Sequence, residues 1–348
     1  MKTTPISTSA LSESTRLFLT TLQAKLAQTQ KEVTTGRHAD MGLSLGFRTG
    51  EVISLRQEHT RLQTITDTNA VAATRLNAGQ AALKALAETA QGFLGQLMAG
   101  AISNQSQQVL QTQALSGLSM FADMLNTTID GASLFAGINA DVRPITEYQA
   151  PGAANAQAVA SAFAGAFGIS QSDPGVANID SADMQTFLDT TFAGLFDPGA
   201  WSGTWSAASD QNIRSRISST ELVETSVNAN DEAFRKLASA FTMVADLGTN
   251  KLNQDAFQAV VETATSLVGQ ALDGLTKLQA DLGVAQERIA KANDRMSIQM
   301  DIMANHIGVL EGVDPYEAST RVAELLTQVE IAYAMTARIA KLTILNYL

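Results

Sequence analysis

Among residues suited to metal ligation or nucleophilic catalysis, this chain offers three histidines and no cysteine. His38-Ala39-Asp40 has the residue types of a metal ligand pair, but no second cluster accompanies it, and a stable centre needs three or four converging donors. Gly42, Gly46 and Gly50 follow it, without the lysine and preceding strand of a phosphate-binding loop. Lack of cysteine excludes disulfides, thiolate chemistry and cysteine-bound zinc. The central aspartates are scattered and have no histidine near them. No catalytic, cofactor-binding or metal residue is assigned, and the chain reads as non-enzymatic. His59 and His306 lie on two different apolar seams. An antiparallel pairing of those seams would bring them together, and two imidazolium ions there would repel in acid. The plainer alternative is a pair of packed or edge-exposed histidines.

The elements that carry these residues are long helices. Of six prolines, Pro144, Pro151, Pro174 and Pro198 fall in one central window, while Pro5 and Pro315 sit at or just ahead of terminal helices. Proline inside a helix costs about 3 kcal/mol, so the two proline-free arms are free to run as continuous helix. Hydrophobic content is 45% with only 5% aromatics, much of it alanine and leucine, which suits closely packed helices better than a compact sphere. A net charge of −11 argues against nucleic acid, which selects a basic stripe. No run reaches the ~18 apolar residues of a membrane span, and the first residues lack the apolar core of a secretory signal. Neither nucleic acid nor membrane is an expected partner.

Leu19, Leu22, Leu26 and Val33 mark an amphipathic N-terminal helix ending near Gly36, and Arg37 to Gly50 reads as a loop or hinge. Leu62, Ile65, Asn69, Ala72, Leu76, Gly79, Leu83, Leu86, Ala90, Phe93 and Leu97 then alternate steps of three and four, as a coiled-coil-like seam does. A further helix is expected over roughly 105–128, closed by the turn-rich Gly131–Gly137. After the acidic centre, Ile213, Ser215 and Ile217 alternate with Arg214 and Arg216, and Val223, Thr225 and Val227 with Glu224 and Ser226. This pattern predicts a β-hairpin, with Arg214 and Arg216 facing Glu221 and Glu224. A second long seam runs from Val268 through Leu275, Leu282, Ile289, Met296, Gln299, Met303 and His306 to Leu310, a helix of about 50 residues. Asn69 and Gln299 interrupt these seams, either fixing register or facing solvent at the edge. Gly312 ends the second helix. Asp314 caps a last one, with Pro315 first and Glu317 placed for a capping box. That helix presents Val322, Leu326, Val329, Tyr333, Ala337, Ala340 and Ile344 as one stripe.

The fold class expected is mainly α: long antiparallel coiled-coil-like helices from both chain ends, a β-hairpin near 213–227, and a small variable central insert. The expected domains are a terminal coiled-coil domain (1–45 and 305–348), a long-helix core (46–140 and 212–304) and an outer insert (141–211).

Several motifs resemble those of the flagellin superfamily. Thr34-Thr35-Gly36-Arg37 is similar to the segment that closes its first helix. Gly131-Ala132-Ser133-Leu134-Phe135-Ala136-Gly137, followed by Asn139 and Pro144, resembles the Leu-Phe-Ala-Gly signature of its hook-filament junction branch, the hook-associated protein 3 type. Glu317-Ala318-Ser319-Thr320-Arg321 through Leu345-Asn346-Tyr347-Leu348 resembles the family's closing helix. The likeness covers about the first 145 and last 140 residues. Asp40 is followed by Met41-Gly42-Leu43 where Asp-Asp-Pro is common, which resembles an alphaproteobacterial branch.

The resemblance implies a structural subunit joining hook to filament and exported without a cleaved signal peptide through the flagellar type III channel to the cell exterior. The partners it implies are further copies in a helical ring, the first hook-associated protein, flagellin, and a cytosolic export chaperone on the C-terminal helix. The assembly interface is expected at Leu19, Leu22, Leu26, Val33, Val322, Leu326, Val329, Tyr333 and Ile344. The alternatives are a filament-forming flagellin, a signalling coiled coil of the chemoreceptor kind, and an enzyme hidden in the centre.

Overall fold

A computed structural model describes residues 8–102 and 107–345, with side chains over 13–99 and 107–338. In chain order the elements are α1 (Thr8–Thr35), α2 (Met41–Leu45) running into a 3-10 turn (Gly46–Arg48), α3 (Thr49–Ile102), α4 (Gln107–Leu125), β1 (Thr128–Ile129), β2 (Ala132–Ser133), α5 (Ala154–Phe167), α6 (Ser181–Phe187), α7 (Pro198–Thr204), β3 (Arg214–Arg216), β4 (Leu222–Glu224), α8 (Glu232–Asp246), α9 (Gln254–Glu311) and α10 (Pro315–Leu345). The mainly α fold with long helices from both chain ends is thus as expected. Pro5 lies outside the described residues. The segment expected as an open hinge instead holds α2, because Asp40 accepts the Leu43 amide at 2.9 Å and starts a helical turn. The chain forms two compact units, one of residues 64–295 and the other of 1–63 with 296–348.

In the unit of residues 64–295, the seams of α3 and α9 pack antiparallel. Leu76, Leu83, Leu86, Ala90, Phe93 and Leu97 are buried, as are Val268, Ala271, Leu275, Leu282, Ile289 and Ala292. Polar side chains fix their register. Gln80 donates to the Gln279 carbonyl at 2.6 Å, and Gln286 donates to Asn77 at 2.7 Å. Asn69 is buried, and its amide donates to Asn293 at 2.7 Å and to the Ile217 carbonyl at 2.9 Å, tying both helices to the hairpin. α4 and α8 cover this pair. α8 is buried continuously from Leu237 to Ala245, while its charged residues Glu232, Arg235, Lys236 and Asp246 lie toward its two ends. The Phe241 ring lies so close to Gly117 that a Cβ there would fall 2.3 Å from it, so glycine sets the approach of α4 to α8.

The hairpin pairs Arg214 with Glu224, Ser215 with Val223 and Arg216 with Leu222. Glu221 does not face a hairpin arginine. It turns to α9 and forms ion pairs with Arg288 at 2.9 Å and Arg295 at 3.4 Å.

The central segment folds around aromatic side chains rather than around helical periodicity. Phe163, Phe187, Phe192, Phe196, Trp201 and Trp205 form a chain of ring contacts, ending in stacked Trp201–Trp205 and Tyr148–Trp205 pairs. Two of the aspartates here are helix caps. Asp173 accepts from Gly175 and Asp180 from Ala182, at 2.7 and 2.8 Å. The two ends of this segment are tied together: the Ile138 amide donates to the Gln211 carbonyl, and the Ser209 amide to the Ala136 carbonyl, both at 3.0 Å. Between them Gly137 has φ of +62°, and a Cβ would meet the Gln211 carbonyl at 2.5 Å, so the closing glycine of Leu-Phe-Ala-Gly admits no side chain.

In the unit of 1–63 with 296–348, the turn after α1 pairs with the turn after α9. His38 donates its amide to the Glu311 carbonyl and Val313 donates to the Gly36 carbonyl, each at 3.0 Å. The Glu311 carboxylate, 2% exposed, accepts both Nε and Nη2 of Arg56 at 2.9 and 2.7 Å, and Arg37 approaches at 3.6 Å. One carboxylate thus holds the ends of α1 and α9 to the start of α3. Asp314 caps α10 through the Tyr316 amide at 2.8 Å, as expected, while Glu317 pairs forward with Arg321 at 3.2 Å.

Two consequences can be measured. The Tyr148 hydroxyl donates to Asp246 at 2.6 Å. Burial pushes the Asp246 carboxyl above its ordinary 3.8, only partly opposed by this hydrogen bond. Stability from the protonated carboxyl is therefore full below about pH 4 and lost as pH rises through the raised value. Asp246→Asn should remove that loss, so the variant gains on the parent between acid and neutral pH in urea titrations. At the paired turns, Arg56→Ala strands a buried carboxylate with one distant partner. It should cost about 2–3 kcal/mol, below the 3–5 kcal/mol of a fully buried pair because the guanidinium is half-exposed. Glu311→Gln, which leaves solvated arginines, should cost about 1 kcal/mol. Hydrogen exchange at residues 36–48 reads both, and protection over 64–295 should not change.

Candidate assembly site

α1 and α10 run antiparallel and pack along their length. Leu22 is buried between them, with Leu19 and Leu26 half-buried on the same ladder, and the next step falls on buried Thr29. Val33 is already exposed. On α10 the inward ladder is Val322, Leu325, Val329, Ala332 and Thr336. Leu326 and Tyr333 point outward, at 43% and 52% exposure, and the Tyr333 hydroxyl accepts from Gln23 at 2.6 Å. Two adjacent leucines offer two ladders that share Val322 and Val329, and the structure uses the one that passes through Leu325. Ile344 lies outside the residues whose side chains are described.

Beside this pair lies a second apolar surface that the seam pattern does not single out. Phe18, Ile331 and Met335 are each more than half exposed. With Ser14, Thr15, Gln328 and Ala332 they line an open groove of about 400 Å³. Its signal in the sequence is the second stripe on α10, which a single-seam reading leaves on the solvent side.

Glu311 was also not legible as a key residue, although a cue exists. A carboxylate in the last turn of a helix opposes the helix dipole, and such an acid needs a cation. The histidines have structural surroundings. His38 Nδ1 lies 3.8 Å from Glu32, which accepts the Ala39 amide at 3.1 Å. His306 Nε2 lies 3.6 Å from a Glu51 carboxylate oxygen, with both side chains about half exposed. His59 is half-buried and lines a hollow with Arg37, Arg56, Ala304, Ile307 and Gly308. Of the two polar seam residues, Asn69 is the buried register-setter, and Gln299 faces solvent because the seam passes through Met300 instead. Among the described residues no group of three or more His, Cys, Asp or Glu converges on a metal position, and no helix is long and apolar enough to cross a membrane.

Known proteins place these elements in context. The bacterial flagellin N-terminal helical region matches residues 6–140, and the bacterial flagellin C-terminal helical region matches residues 265–348. No curated protein matches the chain. Among solved structures, the fold is similar to that of a putative flagellar hook-associated protein from Vibrio parahaemolyticus. The TM-score is 0.52 at 10% identity, over 76% of this chain and 97% of that one. Proteins of this kind self-assemble and associate with other flagellar components outside the cell. With both terminal regions matched, the chain belongs to the flagellin superfamily and is a structural, non-enzymatic subunit of the bacterial flagellum.

Proposed function

We propose that this subunit joins hook to filament, as a hook-associated protein of the third type. The observation that carries the reading is the Leu134-Phe135-Ala136-Gly137 turn. Its first three residues are buried, and its glycine closes the central segment at the edge of the long-helix core. The fold shared with the Vibrio hook-associated protein supports it. Residues 1–45 and 305–348 act as the terminal coiled-coil domain, 46–140 and 212–304 as the core, and 141–211 as the outer insert. In this reading Leu19, Leu22, Leu26, Val322 and Val329 hold the terminal helices together. Val33, Leu326, Tyr333 and the Phe18–Ile331–Met335 groove receive neighbouring copies, and Ile344 is assigned to the same interface. The first hook-associated protein lies on one side and flagellin on the other. Before assembly the chain passes unfolded through the type III channel, delivered by a chaperone on the C-terminal helix.

A filament-forming flagellin is the second reading, favoured by the fact that both matching regions are those of bacterial flagellin. Seeding decides between them. Purified protein is added to short flagellar fragments and viewed by negative-stain electron microscopy. Fragments that stay short and gain a cap support a junction protein, whereas long filaments of this chain alone identify a flagellin and overturn the first reading.

The groove makes a separate prediction. Ile331→Asp places a charge on an exposed apolar surface, so the thermal midpoint of the monomer should move by less than about 0.5 kcal/mol equivalent. Addition to fragments, followed by sedimentation, should fall at least tenfold.

A further inference from the structure

The four most exposed large hydrophobic side chains among the described residues are Phe47 at 91%, Leu43 and Tyr316 at 86% and Val309 at 81%. They are not spread over the surface. All four lie within ten residues of the paired turns at Gly36–His38 and Glu311–Val313, in one compact unit. Leu43 and Phe47 are displayed by a built element. Asp40 caps α2, Gly46 turns the chain at φ +51°, the Thr49 hydroxyl donates to the Gly46 carbonyl at 2.8 Å, and Leu45 packs inward. Leu43 stands on α2 and Phe47 on the 3-10 turn that follows, on either side of the Gly46 turn. The Arg48 guanidinium lies 5.7 Å from the Phe47 ring centre.

The same turns carry a hollow of about 400 Å³ lined by Arg37, Arg56, His59, Thr60, Ala304, Ile307 and Gly308. Its wall at Gly308 is bare, with nothing within 4 Å of where a Cβ would stand. Two half-exposed guanidiniums share the single Glu311 carboxylate, so the rim keeps an excess positive charge. Small residues on one side and guanidinium planes on the other suit an aromatic ring, held by cation–π and stacking contacts. The hollow is open to solvent and so is reached by a side chain from outside.

We propose that Phe47, together with Leu43 of the preceding helix, forms a knob that docks into this arginine-rimmed hollow on the next copy of the chain. The inference rests on the reading of the chain as an assembling flagellar subunit. The occupant is a second copy because knob and hollow flank the same turns and one chain leaves its own knob in solvent. The four exposed side chains offer on the order of 600 Å², close to the ~800 Å² per partner of a stable protein interface. A contact in which each knob enters the hollow of the next copy is head-to-tail, and it repeats into a ring or helix.

The cysteine-free chain gives a direct test. Ser44→Cys, exposed on α2 beside the intact knob, and Ala304→Cys are made as separate single variants, mixed, added to flagellar fragments and treated with a short thiol-to-thiol cross-linker. Cross-linked pairs should form from the mixture and not from either variant alone. In parallel, Leu43→Ala with Phe47→Ala should keep the monomer's melting curve and reduce addition to fragments at least tenfold. Assemblies that form from the mixture without cross-links, or a double variant that adds like the parent, would overturn the contact while leaving the assembly reading intact. A double variant that keeps copy-to-copy association but loses another flagellar protein would also overturn it, by assigning the knob to a different partner. Failure of the unmodified chain to join fragments at all would sink both readings.

Discussion

A single buried carboxylate organises one end of this molecule. Glu311 sits in the last turn of a 58-residue helix, where the helix dipole disfavours an anion, and it is almost fully removed from water. Those two penalties are tolerated because Arg56 meets both carboxylate oxygens and Arg37 stands behind it. Bidentate pairing fixes direction as well as energy. The start of α3, the end of α9 and the turn after α1 are thereby held in one arrangement, and the backbone pairing of Gly36–His38 with Glu311–Val313 follows from it. The direction in which α1 and α10 leave these turns, and hence which of their faces meet, depends on this contact.

The larger unit uses a different principle. Its helices are rich in alanine and glycine, which lets backbones approach closely and makes the fit depend on a few large rings. Phe241 fills the space left by Gly117 and tilts against Phe93 at 4.8 Å. A core built this way tolerates little change in volume. The polar contacts are few and specific, and Asn69 joins three elements with one side chain. Such a group costs desolvation and gives register in return, because any sliding of α3 against α9 would leave its amide unpaired.

The helices, their ends and the hairpin were legible because each rests on a local rule: periodicity, proline placement, capping and alternation. The seams failed where periodicity is ambiguous. Leu325 and Leu326 support neighbouring ladders, and past Met296 the seam shifts from Gln299 and His306 to Met300 and Ile307. The central segment was unreadable for another reason. Its helices are short, its core is a run of aromatic contacts spaced without a helical or strand period and closed by the distant Phe163–Phe187 and Tyr148–Trp205 pairs, and Asp173 and Asp180 look like surface charge until their caps are seen. Of the candidate assembly surface, the inward leucines could be read from spacing. The Phe18–Ile331–Met335 groove and the role of Glu311 depend on which helix faces which, and no local pattern carries that.

The closure at Gly137 has a consequence for how such chains diversify. Because the Ile138 and Gln211 backbones are bonded to each other, the segment between them enters and leaves the core at one point. Its length and fold are therefore uncoupled from the spacing of the long helices. A graft at that point, whether by natural recombination or as a platform for displaying foreign peptides, would alter this segment and leave the packing of the long helices in place.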